Sequence, residues 1–204
     1  MDQKKDEWVS VVDERMKARM LVAVEACFDN GVRLMTDAIA MNAGHRYPTV
    51  VALAVLAEEE FAKALLIGLC AHDGRWDSVV FAAITRHDDK QAVSVGMKHM
   101  VDSVLARKNL AYGLIPPPVI SPREILRYAT EGAELAKKVR SKRTLDKAKQ
   151  NALYVGIDRY CALTNKPDLV YMDVDANQAL EEAEKARIAV CIVRRELGIP
   201  TPGD

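Results

Sequence analysis

The four cysteines, Cys27, Cys70, Cys161 and Cys191, stand far apart, and none belongs to a Cys-x-x-Cys pair. A zinc ribbon and a thioredoxin-type redox site are thereby excluded. Net charge is also lacking, because 29 Lys and Arg meet 29 Asp and Glu. A wholly basic nucleic-acid coat is excluded, whereas a local basic patch is not. Residues Met1 to Trp8 contain no apolar h-region, so no signal peptide is expected. The most apolar stretch, Thr49 to Ala71, is interrupted by Glu58, Glu59, Glu60 and Lys63. Each charge near a bilayer centre costs about 2.5–3.5 kcal/mol, which defeats membrane insertion. A soluble, reduced, cytoplasmic protein is expected.

Several chemical signatures are missing as well. There is no GxSxG elbow, no GxxxxGK[ST] phosphate loop and no Glu-x-x-His. Nucleophile-elbow hydrolases, phosphate-loop enzymes and carboxylate di-iron bundles fall with them. His72-Asp73 and His87-Asp88 invite an HD-phosphohydrolase reading. That site needs His and Asp from several helices around a metal, and His72-Asp73-Gly74 reads simply as a helix end. No metal and no cofactor are expected. Strand alternation and internal repeats are absent too.

What the chain does have is helical periodicity. Its 204 residues are half apolar, enough to form a core without staples. Leu21, Val24, Phe28, Val32, Met35 and Ile39 recur at helical steps, with Val9, Val12, Met16 and Met20 leading in. This predicts a helix from about Asp6 to Ala43, with a kink at Asn30-Gly31. A second helix covers Thr49 to Ala71, with Pro48 at its start. A third starts near Asp77-Ser78 and runs toward Tyr112. Pro116-Pro117-Pro118 forms a stiff connector, and Ser121-Pro122-Arg123-Glu124 caps a helix reaching about Arg143. A shorter helix spans Asp146 to Asp158, and Tyr160 to Tyr171 reads as loop. Asp175 with Gln178 caps the last helix, which ends at Gly198. The fold class is all-α, a bundle of long antiparallel helices in one domain over 1–204, with 1–8 and 199–204 as frayed ends.

The second helix is apolar all round except for Glu58, Glu59, Glu60 and Lys63, so it belongs in the middle of the bundle. Glu60 has Leu53, Leu56, Ala64 and Ile67 at helical spacing, and both Glu59 and Glu60 are spaced to pair with Lys63. A buried ion pair returns little stability for its desolvation. The charges therefore mark either a register-fixing polar network or a site. His87 falls on a face with Val80, Ala83, Ile84 and Gln91, and Lys90 shares its side. Antiparallel packing would bring the carboxylates of the second helix to His87, and a carboxylate-held histidine is suited to proton transfer.

A basic run lies between Lys137 and Lys149. It comprises Lys137, Lys138, Arg140, Lys142, Arg143, Lys147 and Lys149, against the single acid Asp146. Five acids and no base lie between Asp173 and Glu184. The basic run either tracks phosphates or is a solvated face that meets the acidic one.

These features together resemble the AbiV family of abortive-infection proteins, in the HEPN-like all-helical group. The resemblance rests on Asn30, Asp37-Ala38, Arg46-Tyr47-Pro48 and the block Leu56 to Lys63, where Glu59, Glu60 and Lys63 match Glu-Glu-x-x-Lys. It continues through His87 and Lys90 as His-x-x-Lys, and through Leu153-Tyr154-Val155 followed by Pro167. The family usually has Arg shortly before Leu-Tyr-Val and an acid after it, where this chain has Lys149-Gln150 and Gly156. No histidine here follows an Arg by four to six residues, so the generic HEPN ribonuclease motif is absent.

The resemblance implies a HEPN-like bundle, a homodimer and a phage-defence effector that arrests the infected cell. On that basis the expected chemistry is metal-independent RNA cleavage. His87 would be the acid or base, Lys90 and Lys63 would stabilise phosphorane charge, and Glu59 or Glu60 would orient them. Lys138, Arg140, Lys142, Arg143 and Lys147 would hold RNA, with Tyr154 and Asn30 as further motif positions. The alternative is a non-enzymatic protein that senses a phage component or blocks translation by contact. In that case the Glu-Lys-His cluster is only a polar core. A phage protein activator fits either scheme.

Overall fold

The structure, a computed structural model, describes residues 9–108, 144–153, 156–157 and 163–199. Helix α1 spans Glu14–Ala43. Asp13 caps it by accepting the Met16 amide at 2.6 Å. Helix α2 spans Tyr47–Asp73, with Pro48 in its first turn, where no amide donor is needed. It ends at Gly74, whose φ of 75° is a left-handed cap suited to glycine. The turn between α1 and α2 is short, so the two helices pack antiparallel along their lengths.

Four differences from the sequence expectations appear here. First, α1 begins after a short strand, β1 (Val9–Val11), rather than near Asp6. Strand β1 pairs antiparallel with β2 (Arg75–Asp77), Val9 facing Asp77. Second, α1 runs unbroken through Asn30-Gly31. Gly31 is a contact point and not a kink: a Cβ there would lie 2.5 Å from the Phe61 ring. Third, that contact shifts the inward stripe of α1 to Met20, Val24, Phe28, Gly31, Leu34, Met35 and Ala38. Ile39 is left 57% exposed. Fourth, the single helix expected from Ser78 is two helices. Asp77 caps α3 (Ser78–Thr85), Arg86 is extended at φ −95° and ψ 131°, and α4 (His87–Lys108) then begins at His87.

Beyond residue 143 the described elements are α5 (Thr144–Leu153), β3 (Gly156–Ile157) paired with β4 (Leu163–Asn165), α6 (Pro167–Val170) and α7 (Asp173–Glu196). The expected loop at 160–171 thus contains β4 and α6. Asp175 does not begin the last helix as its cap; it sits one turn in and accepts the Met172 amide at 2.8 Å. Ile199, expected to fray, is anchored by its amide to the Arg194 carbonyl at 2.8 Å.

The core lies where α1, α2, α4 and α7 meet. Val24, Phe28, Phe61, Met97, Val101, Val190 and Ile192 belong to it, and the Phe28 and Phe61 rings are 5.7 Å apart. Ala183, Ala186 and Ala189 are fully buried and let α7 approach its neighbours closely. Among the described residues no helix is long and apolar enough to cross a membrane. The fold is all-helical apart from the two short ladders.

Candidate functional site

Three consecutive glutamates on α2 point in three directions, because each helical step turns about 100°. Glu58 and Glu59 are both 2% exposed and face α4. Glu60 is half-buried and turns to Lys63 on its own helix, at 2.5 Å. The sequence had singled out Glu60 for its apolar flanks, but Glu59 is the carboxylate that meets His87. Helix α4 answers with a polar stripe of His87, Lys90, Gln91, Ser94 and Lys98, at helical spacings of three and four.

Each oxygen of Glu59 accepts a hydrogen bond, and each has an ammonium beside it. Oε2 lies 2.5 Å from His87 Nδ1 and 3.1 Å from Lys90 Nζ. Oε1 accepts from Gln91 Nε2 at 2.9 Å and from Lys149 Nζ at 3.1 Å. Burial alone would raise the Glu59 carboxyl. The hydrogen bonds from Gln91 and His87 and the charges of Lys90 and Lys149 outweigh burial and hold it below the ordinary carboxylate range. When Nδ1 donates to this carboxylate at 2.5 Å, a neutral imidazole keeps its lone pair on Nε2. The His87 side chain is 55% exposed. The result is an imidazole gripped from inside and open on the other side.

Glu58 is arranged differently. Its Oε2 accepts from Ser94 Oγ at 2.6 Å and Lys98 Nζ at 2.9 Å. Lys98 also reaches Glu182 at 3.2 Å, and Glu182 meets Lys185 at 3.0 Å. Burial would lower the Lys98 ammonium, but Glu58 and Glu182 raise it above its usual value. Burial would raise Glu182, yet Lys98 and Lys185 bring it down. This chain of charges links α2, α4 and α7 and leads from buried Glu58 to the surface, where Lys185 also pairs with Asp102 and Glu181.

Of the residues the sequence nominates, Glu59, His87 and Lys90 come together. Lys63 and Glu60 form a separate pair. Asn30 accepts from Arg33 at 2.9 Å, and Arg33 pairs with Asp37 on the surface of α1. Lys147 is exposed on α5. Lys138, Arg140, Lys142, Arg143 and Tyr154 lie outside the described residues. Lys149, read with the basic run, is buried against Glu59 instead. Sequence reasoning missed it, along with Ser94 and Lys98, and placed Gln91 on the His87 face without giving it a role. Gln91 and Ser94 follow His87 at i+4 and i+7, the signal that could have found them. Cys27 lies near Lys63, Glu60 and Lys90, and burial pushes its thiol up, away from nucleophilic use. Among the described residues no group of three or more His, Cys, Asp or Glu could hold a metal ion.

The sequence model of the AbiV family, in the HEPN group, matches residues 19–189. The chain belongs to the AbiV family. The match spans both halves of the Glu59–His87 pair and also takes in Lys149. AbiV is an abortive-infection family, and the helical architecture here agrees with a HEPN-like fold. No curated protein and no solved structure matches the chain.

Proposed function

We propose that this AbiV protein is a phage-defence effector that cleaves RNA without a metal ion and so shuts down translation in the infected cell. The observation that carries the reading is the His87 ring, 55% exposed, with Nδ1 held 2.5 Å from a carboxylate that is 2% exposed. A buried structural histidine has no need of an open face. A general base does, and it also needs its other nitrogen fixed by an acceptor. Nε2 of His87 takes the proton from a ribose 2′-hydroxyl. The freed oxygen attacks the adjacent phosphorus, and the bond to the 5′-oxygen breaks. The products are a 2′,3′-cyclic phosphate and a 5′-hydroxyl that takes up the proton. Lys90, 3.1 Å from Glu59, adds positive potential beside the ring as phosphorane charge develops. Glu60 and Lys63 neutralise each other and take no direct part. Lys147, with the basic residues Lys138, Arg140, Lys142 and Arg143 before it in sequence, gathers the RNA backbone. The protein acts in the cytoplasm as a homodimer and answers to a phage component.

The rival reading is a non-enzymatic partner-binding protein. The three hydrogen bonds and the Lys90 ion pair on Glu59 favour it, since a well-partnered carboxylate is also what a structural polar core contains. A gel assay of purified protein on tRNA and ribosomal RNA with EDTA, beside His87→Ala, separates the two. Cleavage by the parent alone supports the ribonuclease. If neither protein cleaves while both stay folded, the binding protein stands.

A further inference from the structure

Among the described residues Lys149 is the one member of the Glu59 cluster that comes from neither α2 nor α4. It is carried by α5, ninety residues along the chain from Glu59. Three observations show that its position is built. Ala152, one turn further on the same face, packs on Val51 and Ala52 of α2. The Tyr171 hydroxyl donates to the Ala148 carbonyl at 2.8 Å, and its ring packs on the same Val51, Ala52 and Ala152 cluster. The Lys149 side chain is 11% exposed, although the neighbouring Lys147 is in solvent.

The torsion that spins a glutamate carboxylate about its last bond is broad and has no strong rotamer preference. Hydrogen bonds must therefore set the plane of the Glu59 carboxylate. Lys90 and His87 share Oε2, so the plane is fixed only if Oε1 is anchored too. Gln91 supplies one anchor from α4, and Lys149 supplies the charged one from α5. Lys149 Nζ also lies 3.3 Å from His87 Nδ1. In the tautomer in which Nδ1 donates to Glu59, this is an approach of two donors. The carboxylate between them holds them together.

We infer that Lys149 is a positioning residue of this site: docked by α5 onto Glu59 Oε1, it locks the carboxylate plane that keeps the proton of His87 on Nδ1 and turns Nε2 outward. The consequence for catalysis rests on the ribonuclease reading above; the consequence for the imidazole does not. Lys149 is thus separated in role from Lys147 and the basic run, which act on the RNA backbone.

The test uses the full chain labelled with 15N-histidine, with the His87 signals identified by their loss in His87→Ala. In the parent, Nδ1 carries the proton, seen as a downfield hydrogen-bonded resonance. Lys149→Met is expected to lose that resonance and average the two ring nitrogens, while Lys149→Arg retains both features. In the RNA assay, Lys149→Met should lower kcat on the order of 10²-fold, the scale of a misplaced catalytic group, with KM within about twofold. Lys147→Met should raise KM and leave the His87 spectrum untouched. An unchanged His87 spectrum in folded Lys149→Met overturns the inference, whatever the RNA assay shows. If the parent is inactive on RNA but the spectra change as stated, the positioning role holds and only the ribonuclease reading falls. Should Lys149→Met fail to fold, Lys149→Arg decides: a parent-like spectrum supports the role, and an averaged one overturns it.

Discussion

Glu58 and Glu59 are neighbours on one helix, equally buried, and each is matched by partners from α4. Their surroundings differ in one respect. From Glu58 the charges run through Lys98, Glu182 and Lys185 to the exposed carboxylates Asp102 and Glu181, ammonium and carboxylate alternating across packed helices. From Glu59 they run outward to an imidazole in contact with water. The first is what a bundle needs to fix the register of α4 and α7 on α2. The second adds a titratable group with an open face, which a register device does not require. On the proposed reading Glu58 is a structural carboxylate that serves as a control for Glu59, one residue on.

Substitution breaks the comparison most directly. Glu58→Ala leaves Lys98 with Glu182 alone and should cost about 3 kcal/mol, read from urea unfolding, because a buried ammonium loses one of its two carboxylates. The His87 spectrum should persist in that variant. Glu59→Gln keeps the shape and loses the charge; it should cost about 1–3 kcal/mol and abolish the downfield His87 proton. If the two variants disturb His87 equally, the division between the networks is wrong.

Acid should erode both networks by a smaller amount. Glu59 and Glu182 are held below the ordinary carboxylate range, so their contributions are complete above the unfolded value near ~4.3. They disappear as pH falls through the lower folded values. Lys98 is raised, so its contribution is complete below ~10.4 and disappears as pH climbs through the folded value. Urea midpoints should be flat from about pH 6 to 9 and fall on both sides. Glu59→Gln and Glu182→Gln should each flatten part of the acid limb. A midpoint independent of pH from 3 to 7 would rule out both contributions.

The smallest effect sets the scale. Arg33 and Asp37 pair at 2.9 Å on the exposed face of α1, with side chains 62% and 49% exposed. Asp37→Asn should cost no more than about 0.5 kcal/mol by thermal unfolding. A larger loss would mean that this motif position does something beyond a surface pair.

The helical content and the central place of α2 were legible because composition alone carries them. An all-round apolar helix with four charges has to be interior and has to explain those charges. The same property hid the geometry: where every face is apolar, periodicity contains no phase, and nothing on α2 says whether Glu59 or Glu60 looks toward His87. Only the neighbours decide. Lys149 was hidden by the basic residues around it, since the inward face of α5 is defined by what it docks on. Gly31 read as a kink because a helical glycine without its partner looks like a weakness; Phe61 lies thirty residues away. The break at Arg86 has no glycine or proline to announce it. The β1–β2 ladder is too short for alternation to register.

The extended residue at Arg86 also makes the molecule modular. In one unbroken helix, adding or removing a residue anywhere along 78–85 would swing every later side chain by about 100°. His87, Lys90, Gln91, Ser94 and Lys98 would leave α2 together. Because α4 starts afresh at His87, it takes its azimuth from the carboxylates it meets and not from α3. A change of length in α3 is thereby not passed on as a rotation of the imidazole, while Val80 and Ile84 still pack on the core.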